Sequence, residues 1–193
     1  MANIRSFLPT RVLTFVRFTV SVLFVAFFCG SSIWADYDAA TADLSAAWTV
    51  TSSNGVTLDG SVLNYANHTG TLTISSDPNF TLTNGAVFEQ SGNITTGNHK
   101  ALVVKGGGTL KLTCAGSLNS QNNGFWGFYF YDGSVIDTSG AGFMCLYGSS
   151  SNLRFYGDGE LIIGTNVWTK TTTELVAYSG VNAKISQSTA AGI

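Results

Sequence analysis

A chain of 193 residues with only 10% charged side chains, 45% hydrophobic ones and a formal net charge of −2 has the length of one domain behind a targeting segment. It excludes a disordered polyelectrolyte, which would be highly charged and poor in aromatics, and it shows no basic cluster of the kind that nucleic acid requires. Twenty-two glycines against two prolines, among abundant Thr, Ser, Asn and Val, describe a β-rich chain with many turns.

Residues 1–35 read as a secretory signal peptide. "MANIRSFLPTRVLTFVR" carries Arg5, Arg11 and Arg17 and no acid, and the apolar run "FTVSVLFVAFF" follows at 18–28. "CGSSIWA" then ends on Ala35. A positive start, a short apolar stretch and a small-residue exit make the signal pattern. The run is shorter than the roughly 20 residues a membrane-spanning helix needs. Cys29 would suit a lipid-anchored alternative, but Phe28 before it is bulky where such motifs want a small residue. The mature chain is expected to begin at Asp36. Removing the three arginines leaves six basic against eleven acidic residues, a net of −5.

"DYDAATADLSAA", residues 36–47, is expected to be an N-terminal cap over a repetitive body, as a short helix with Asp38 at its N-cap and alanines behind it.

From residue 48 onward the chain repeats. "VTLDGSVLN" starts at Val56, "FTLTNGAVFE" at Phe80, "LVVKGGGTLKLT" at Leu102, "FYFYDGSVIDTS" at Phe128, "LRFYGDGELIIG" at Leu153 and "LVAYSGVNAKIS" at Leu175. Each unit is a short strand, a turn rich in Gly, Asp, Asn or Ser, and a second short strand. A third segment recurs between units: "AWTV" from Ala47, "TLTIS" from Thr71, "NITT" from Asn93, "SLNS" from Ser117, "FMCLYG" from Phe143 and "NVWTK" from Asn166. Three short strands per roughly 24 residues make one coil of a parallel β-solenoid. An antiparallel sandwich would suit the Asp-Gly and Asn-Gly turns but not the recurring third segment.

Alternation along a strand assigns the faces. Positions one and three of each first strand are apolar: Val56/Leu58, Phe80/Leu82, Leu102/Val104, Phe128/Phe130, Leu153/Phe155 and Leu175/Ala177. They are expected to point inward. Positions two and four point out, so Tyr131, Tyr156 and Tyr178 should stand one above another, about 5 Å apart, with Tyr129 and Arg154 beside them.

The coil length, the three-strand pattern and the Asp/Asn-Gly turns resemble the right-handed parallel β-helix proteins of the pectin-lyase-like class. Within that class the chain looks most like the passenger and adhesin segments of autotransporter-type exported proteins. The resemblance is architectural and covers about residues 46–188. It implies an all-β fold, a right-handed parallel β-helix of about six coils with three short strands each, over residues 48–193. The chain stops soon after a strand without a visible cover, so it is expected to be a segment of a longer protein. A further C-terminal domain would then attach it to an outer membrane.

Two readings of function stay open. The leading one is a secreted or bacterial cell-surface binding module without enzymatic activity. Its partner would be a glycan or a host or cell-surface protein, and its binding residues Tyr129, Tyr131, Arg154, Tyr156, Tyr178 and, on the rim, Trp126. The alternative is a polysaccharide lyase or glycoside hydrolase built on the same scaffold. It would use Asp132 and Asp158 from the same turn of adjacent coils, with Asp137 and Glu160 on the next strand and Lys105 and Arg154 on the same flank. Asp before Gly is also what such a turn demands for backbone reasons alone. No metal site and no cofactor is expected. His68 and His99 stand in no recognisable ligand spacing, and Cys114 and Cys145 form no disulfide framework. Asn67, Asn79 and Asn93 fit the glycosylation pattern, which matters only in a eukaryotic source.

Overall fold

The structure is a computed structural model and describes residues 35–96, 100–114, 125–141, 144–146, 151–164, 167–169 and 173–188. Two short strands lead in: β1 (Tyr37–Asp38) and β2 (Trp48–Val50). The first full turn is β3 (Val56–Asp59), β4 (Tyr65–His68) and β5 (Leu72–Ile74), and the second is β6 (Asn79–Thr83), β7 (Val87–Gln90) and β8 (Ile94–Thr96). The third turn shows β9 (Lys100–Lys105) and β10 (Thr109–Leu112). The fourth is β11 (Phe125–Phe130), β12 (Ser134–Asp137) and β13 (Met144–Leu146). The fifth is β14 (Ser151–Phe155), β15 (Gly159–Ile163) and β16 (Val167–Thr169). The last described strands are β17 (Thr173–Ala177) and β18 (Ala183–Gln187).

The strands pair in parallel, each with its counterpart one turn on. The chain is thus an all-β parallel β-solenoid. Four turns carry all three strands among the described residues, rather than six: residues 117–120, the expected third strand of the third turn, lie outside them, and the last pair has two strands. One wall contains β1, β3, β6, β9, β11, β14 and β17, with β13 and β16 joined to it through β11. The second wall runs β4, β7, β10, β12, β15, β18, and the third β2, β5, β8.

The expected inward column is buried over five turns: Val56, Leu58, Phe80, Leu82, Leu102, Val104, Phe128, Phe130, Leu153 and Phe155 are all at most 5% exposed. The sixth pair departs from it. Leu175 is 55% exposed and Ala177 is exposed too, because no described strand lies over that end. The second wall contributes Ala66, Phe88, Leu110, Ile136 and Leu161 to the same core.

The unit boundaries need one correction. Aligning Phe80 with Leu102 places Thr83 beside Lys105, but the observed register pairs Phe80 with Val104 and Thr81 with Lys105. The cause is the corner at Gly106, Gly107 and Gly108. Gly106 and Gly107 adopt φ of 87° and 77°, conformations that side chains disfavour, and the Gly108 N–H donates to Leu82 O at 2.9 Å. This tight corner turns the chain into the second wall two residues early. A shift of two preserves the in/out alternation.

The expected helix over 36–47 does not form. Tyr37 and Asp38 pair as a strand with Val56 and Thr57. The Asp38 carboxylate accepts bonds from Ala40 N at 3.0 Å and Thr41 Oγ1 at 2.9 Å, closing a turn instead of capping a helix. Ala39 is buried, and Ala40, Ala42, Leu44 and Ala46 pack on the core of the first turn. The segment covers that end with turns because a backbone already committed to the sheet overrides alanine's helix preference.

On the second wall, Glu89 binds three neighbours: Thr113 Oγ1 donates at 2.6 Å, Tyr65 Oη at 2.7 Å, and Lys111 Nζ lies at 3.5 Å. Burial alone would raise its pKa, but these partners hold the carboxyl below the ordinary 4.5. Hydrogen bonds likewise depress Asp59, through Asn84, and Asp158, through Asn182, and the Lys184 bond depresses Glu160. Depressed folded-state values mean that this stabilisation is fully present above the unfolded-chain pKa and is lost as pH falls through the folded one. The melting temperature should therefore fall between about pH 5 and about pH 3, and Glu89→Gln should melt lower at neutral pH with a shallower acid slope. A midpoint flat across that window in the parent would contradict the ladder.

Candidate functional site

The outer face of the first wall changes character along the axis. Its early turns present Thr57, Asp59, Thr81 and Thr83. From the third turn on it presents Lys105, Tyr129, Tyr131, Arg154, Tyr156 and Tyr178.

The three tyrosines stand on successive turns because each directly follows an inward-facing strand residue. Tyr131 N donates to Val104 O at 3.0 Å, Tyr156 N to Phe130 O at 2.9 Å and Tyr178 N to Phe155 O at 3.2 Å. The ladder's backbone bonds thus continue through the tyrosines and hold them in register. Their rings stack: Tyr131 on Tyr156 with centroids 4.8 Å apart and planes 8° from parallel, Tyr156 on Tyr178 at 5.0 Å and 22°. Lys105 Nζ covers the other side of Tyr131, 5.3 Å from its ring centre. One turn position therefore reads Lys105, Tyr131, Tyr156, Tyr178 as a continuous stack.

Tyr129 and Arg154 flank it, as expected. Tyr129 meets Tyr156 edge-on at 6.0 Å, and the Arg154 guanidinium lies 5.7 Å from the centre of the Tyr129 ring. Arg154 also donates to Tyr156 Oη at 3.5 Å, while its Nε is buried without an acceptor. Burial raises the phenol pKa of Tyr129 and of Tyr131, against the pull of Arg154 in the first case, so both are protonated hydroxyls at neutral pH. Trp126 belongs to strand β11, and its side chain lies outside the described residues. Lys105 was expected only on the flank of the alternative catalytic site and not among the binding residues. Its signal in the sequence was its place at position four of the third unit, directly before the glycine corner.

Asp132 and Asp158 do occupy successive turns, but each is engaged in its corner. Asp132 sits at φ 58° and accepts from Gly106 N at 3.3 Å. Asp158 accepts from Asn182 N at 2.8 Å and Asn182 Nδ2 at 3.2 Å, and these bonds lower its pKa. A carboxyl so held is ionised at neutral pH and poorly suited to donate a proton. Arg154 turns to the phenols and not to these acids.

His68 has partners the sequence did not suggest. It is buried, with Nδ1 2.6 Å from Gln90 Oε1 and Nε2 2.9 Å from Ala46 O, and its ring lies 4.1 Å from that of Trp48. His99 lies outside the described residues. Cys114 is a buried free thiol whose pKa burial pushes up to about 11, which keeps it protonated and unreactive. Among the described residues no group of His, Cys, Asp or Glu converges as a metal site.

Fold and wall together define a parallel β-solenoid with a solvent-facing aromatic rail. No protein-family model, curated protein or solved structure matches the chain.

Proposed function

We propose that the chain is a secreted or cell-surface β-helix of the passenger or adhesin type, which binds a glycan or a cell-surface protein through its tyrosine wall and catalyses no reaction. Attachment to an outer membrane through a further C-terminal domain belongs to the same reading. The observation that carries it is the stack of Lys105, Tyr131, Tyr156 and Tyr178. It places an aromatic surface outside the core over consecutive turns, and Tyr178 at its end is 49% exposed. Exposed aromatics beside arginine are typical binding anchors. The turn acids support this reading over catalysis, since their carboxylates already hold backbone and amide groups.

Changing Tyr131, Tyr156 and Tyr178 together to Ser tests the proposal. The two stacked pairs stabilise the sheet by roughly 1–3 kcal/mol in total, so the triple variant should still fold while losing attachment to its target surface. Attachment equal to the parent's, with only a lower melting temperature, would show that the rail serves stability alone.

A further inference from the structure

The stacking that makes the rail regular also decides what it can bind. Each inner tyrosine ring has both faces occupied: Tyr131 by Lys105 and Tyr156, Tyr156 by Tyr131 and Tyr178. Ring faces are the electron-rich surfaces on which neutral sugars stack. What remains for solvent is the ring edge, which is the positive rim of the aromatic quadrupole, and the phenolic O–H, a donor. The two cations beside these rings, Lys105 and Arg154, add to the same sign. Among the described residues the ion pairs are Lys111 with Glu89 and Lys184 with Glu160, all on the second wall. Among the described residues neither Lys105 nor Arg154 forms an ion pair. Asp77 and Asp132 act on the phenols of Tyr129 and Tyr131, but their carboxylates accept Ala101 N and Gly106 N, respectively. A chain that carries net negative charge beyond residue 35 thus presents two cations outside the described ion pairs, and a row of phenolic donors, on one stripe.

Resting on the binding role proposed above, we infer that the ligand of this wall is an acidic polysaccharide, a linear glycan bearing carboxylate or sulfate groups. The spacing favours a glycan over an acidic polypeptide. The rail repeats at 4.8 and 5.0 Å. An extended polypeptide presents side chains on one face every 6.6 Å or so, and falls out of step by the third ring. Linked pyranose rings repeat on a length close to one turn.

The test uses the full exported chain and four soluble polymers: carboxymethylcellulose, cellulose sulfate, neutral hydroxyethylcellulose and poly-L-glutamate. Retention in affinity electrophoresis is expected on one or both acidic celluloses and not on the neutral one, weakening about tenfold or more from low to high salt, as screened charges do. Lys105→Glu, and separately Arg154→Gln, should each weaken retention about tenfold, the size of one lost charge-assisted bond. Lys105 is outside the core, so its variant loses only one cation–π contact and should melt within a few degrees of the parent. Equal retention on the neutral polymer, no effect of Lys105→Glu, no retention on either acidic cellulose, or equally strong retention on poly-L-glutamate would each overturn the inference. Loss in the triple tyrosine variant with no loss in the charge variants would leave the binding wall standing and remove only its preference for anions.

Discussion

Phe155→Ala is expected to destabilise the solenoid by about 3–5 kcal/mol, and Phe130→Ala by a similar amount. Both rings are fully buried and lie parallel, with centroids 4.4 Å apart and planes 5° from each other. They come from paired positions of β11 and β14, so removing one strips a contact from the other and leaves a cavity between turns. Each turn of a solenoid relies on its neighbours, and the loss should therefore spread to the adjoining coils. For a domain of this size the midpoint of thermal unfolding should drop by roughly 10 °C. Tyr156→Ala, one residue along and facing outward, is the control and should cost much less. Equal effects at Phe155 and Tyr156 would refute the division into inner and outer columns.

A larger local effect is expected from a single methyl group at Gly70 or Gly92. A Cβ on Gly70 would lie 1.9 Å from Ala46 O, and one on Gly92 would lie 2.1 Å from Gly70 O and 2.3 Å from Thr69 O. The obstacles are backbone atoms, so no rotamer relieves them. The close approach serves a buried network. Gln90 Nε2 donates to both Gly70 O and Gly92 O at 3.0 Å, its Oε1 meets His68, and His68 reaches Ala46 O. Pushing the corner apart breaks bonds that water cannot replace. Gly92→Ala should cost about 4 kcal/mol or more, in the range reserved for such collisions. Gly85→Ala makes the comparison. Its φ is 71° but nothing lies within 4 Å of an added Cβ, so it should cost only about 1–2 kcal/mol. Urea unfolding of the two variants measures the difference. Equal costs would mean that the corner is looser than the distances say.

These two predictions mark where sequence reasoning succeeded and where it stopped. The inner position of Phe130 and Phe155 was legible because a strand alternates with period two and the units repeat; both are local rules that survive any packing. The outward alignment of Tyr131, Tyr156 and Tyr178 followed from the same rules, and the rings do stand at one strand spacing. The closeness of Gly70 and Gly92 to backbone in the preceding turn was not legible, since glycine in a repeat reads equally as a turn or as a close approach. The role of Gln90, the burial of His68 and its contact with Trp48 join residues some 20 positions apart at a corner, and no short-range pattern encodes that.

The helix expected over 36–47 failed for the opposite reason. Its local preference was read correctly but was weaker than the pairing offered by β3. The register beyond Phe80 failed because three glycines shorten a corner, which composition marks as a turn without stating its length. The fold class, the order of the walls and the inner and outer columns were readable in advance, because periodicity and side-chain alternation are properties of the chain alone. Packing between turns set the face-to-face stacking of the tyrosine rings, the place of Lys105 at the end of their stack, and, among the described residues, the absence of an ion pair at Arg154 and Lys105 while Asp132 and Asp158 bond within their corners. Ring orientation and ion pairing depend on distances between turns, and those are set by the packed core beneath the wall and not by any residue's neighbours in sequence.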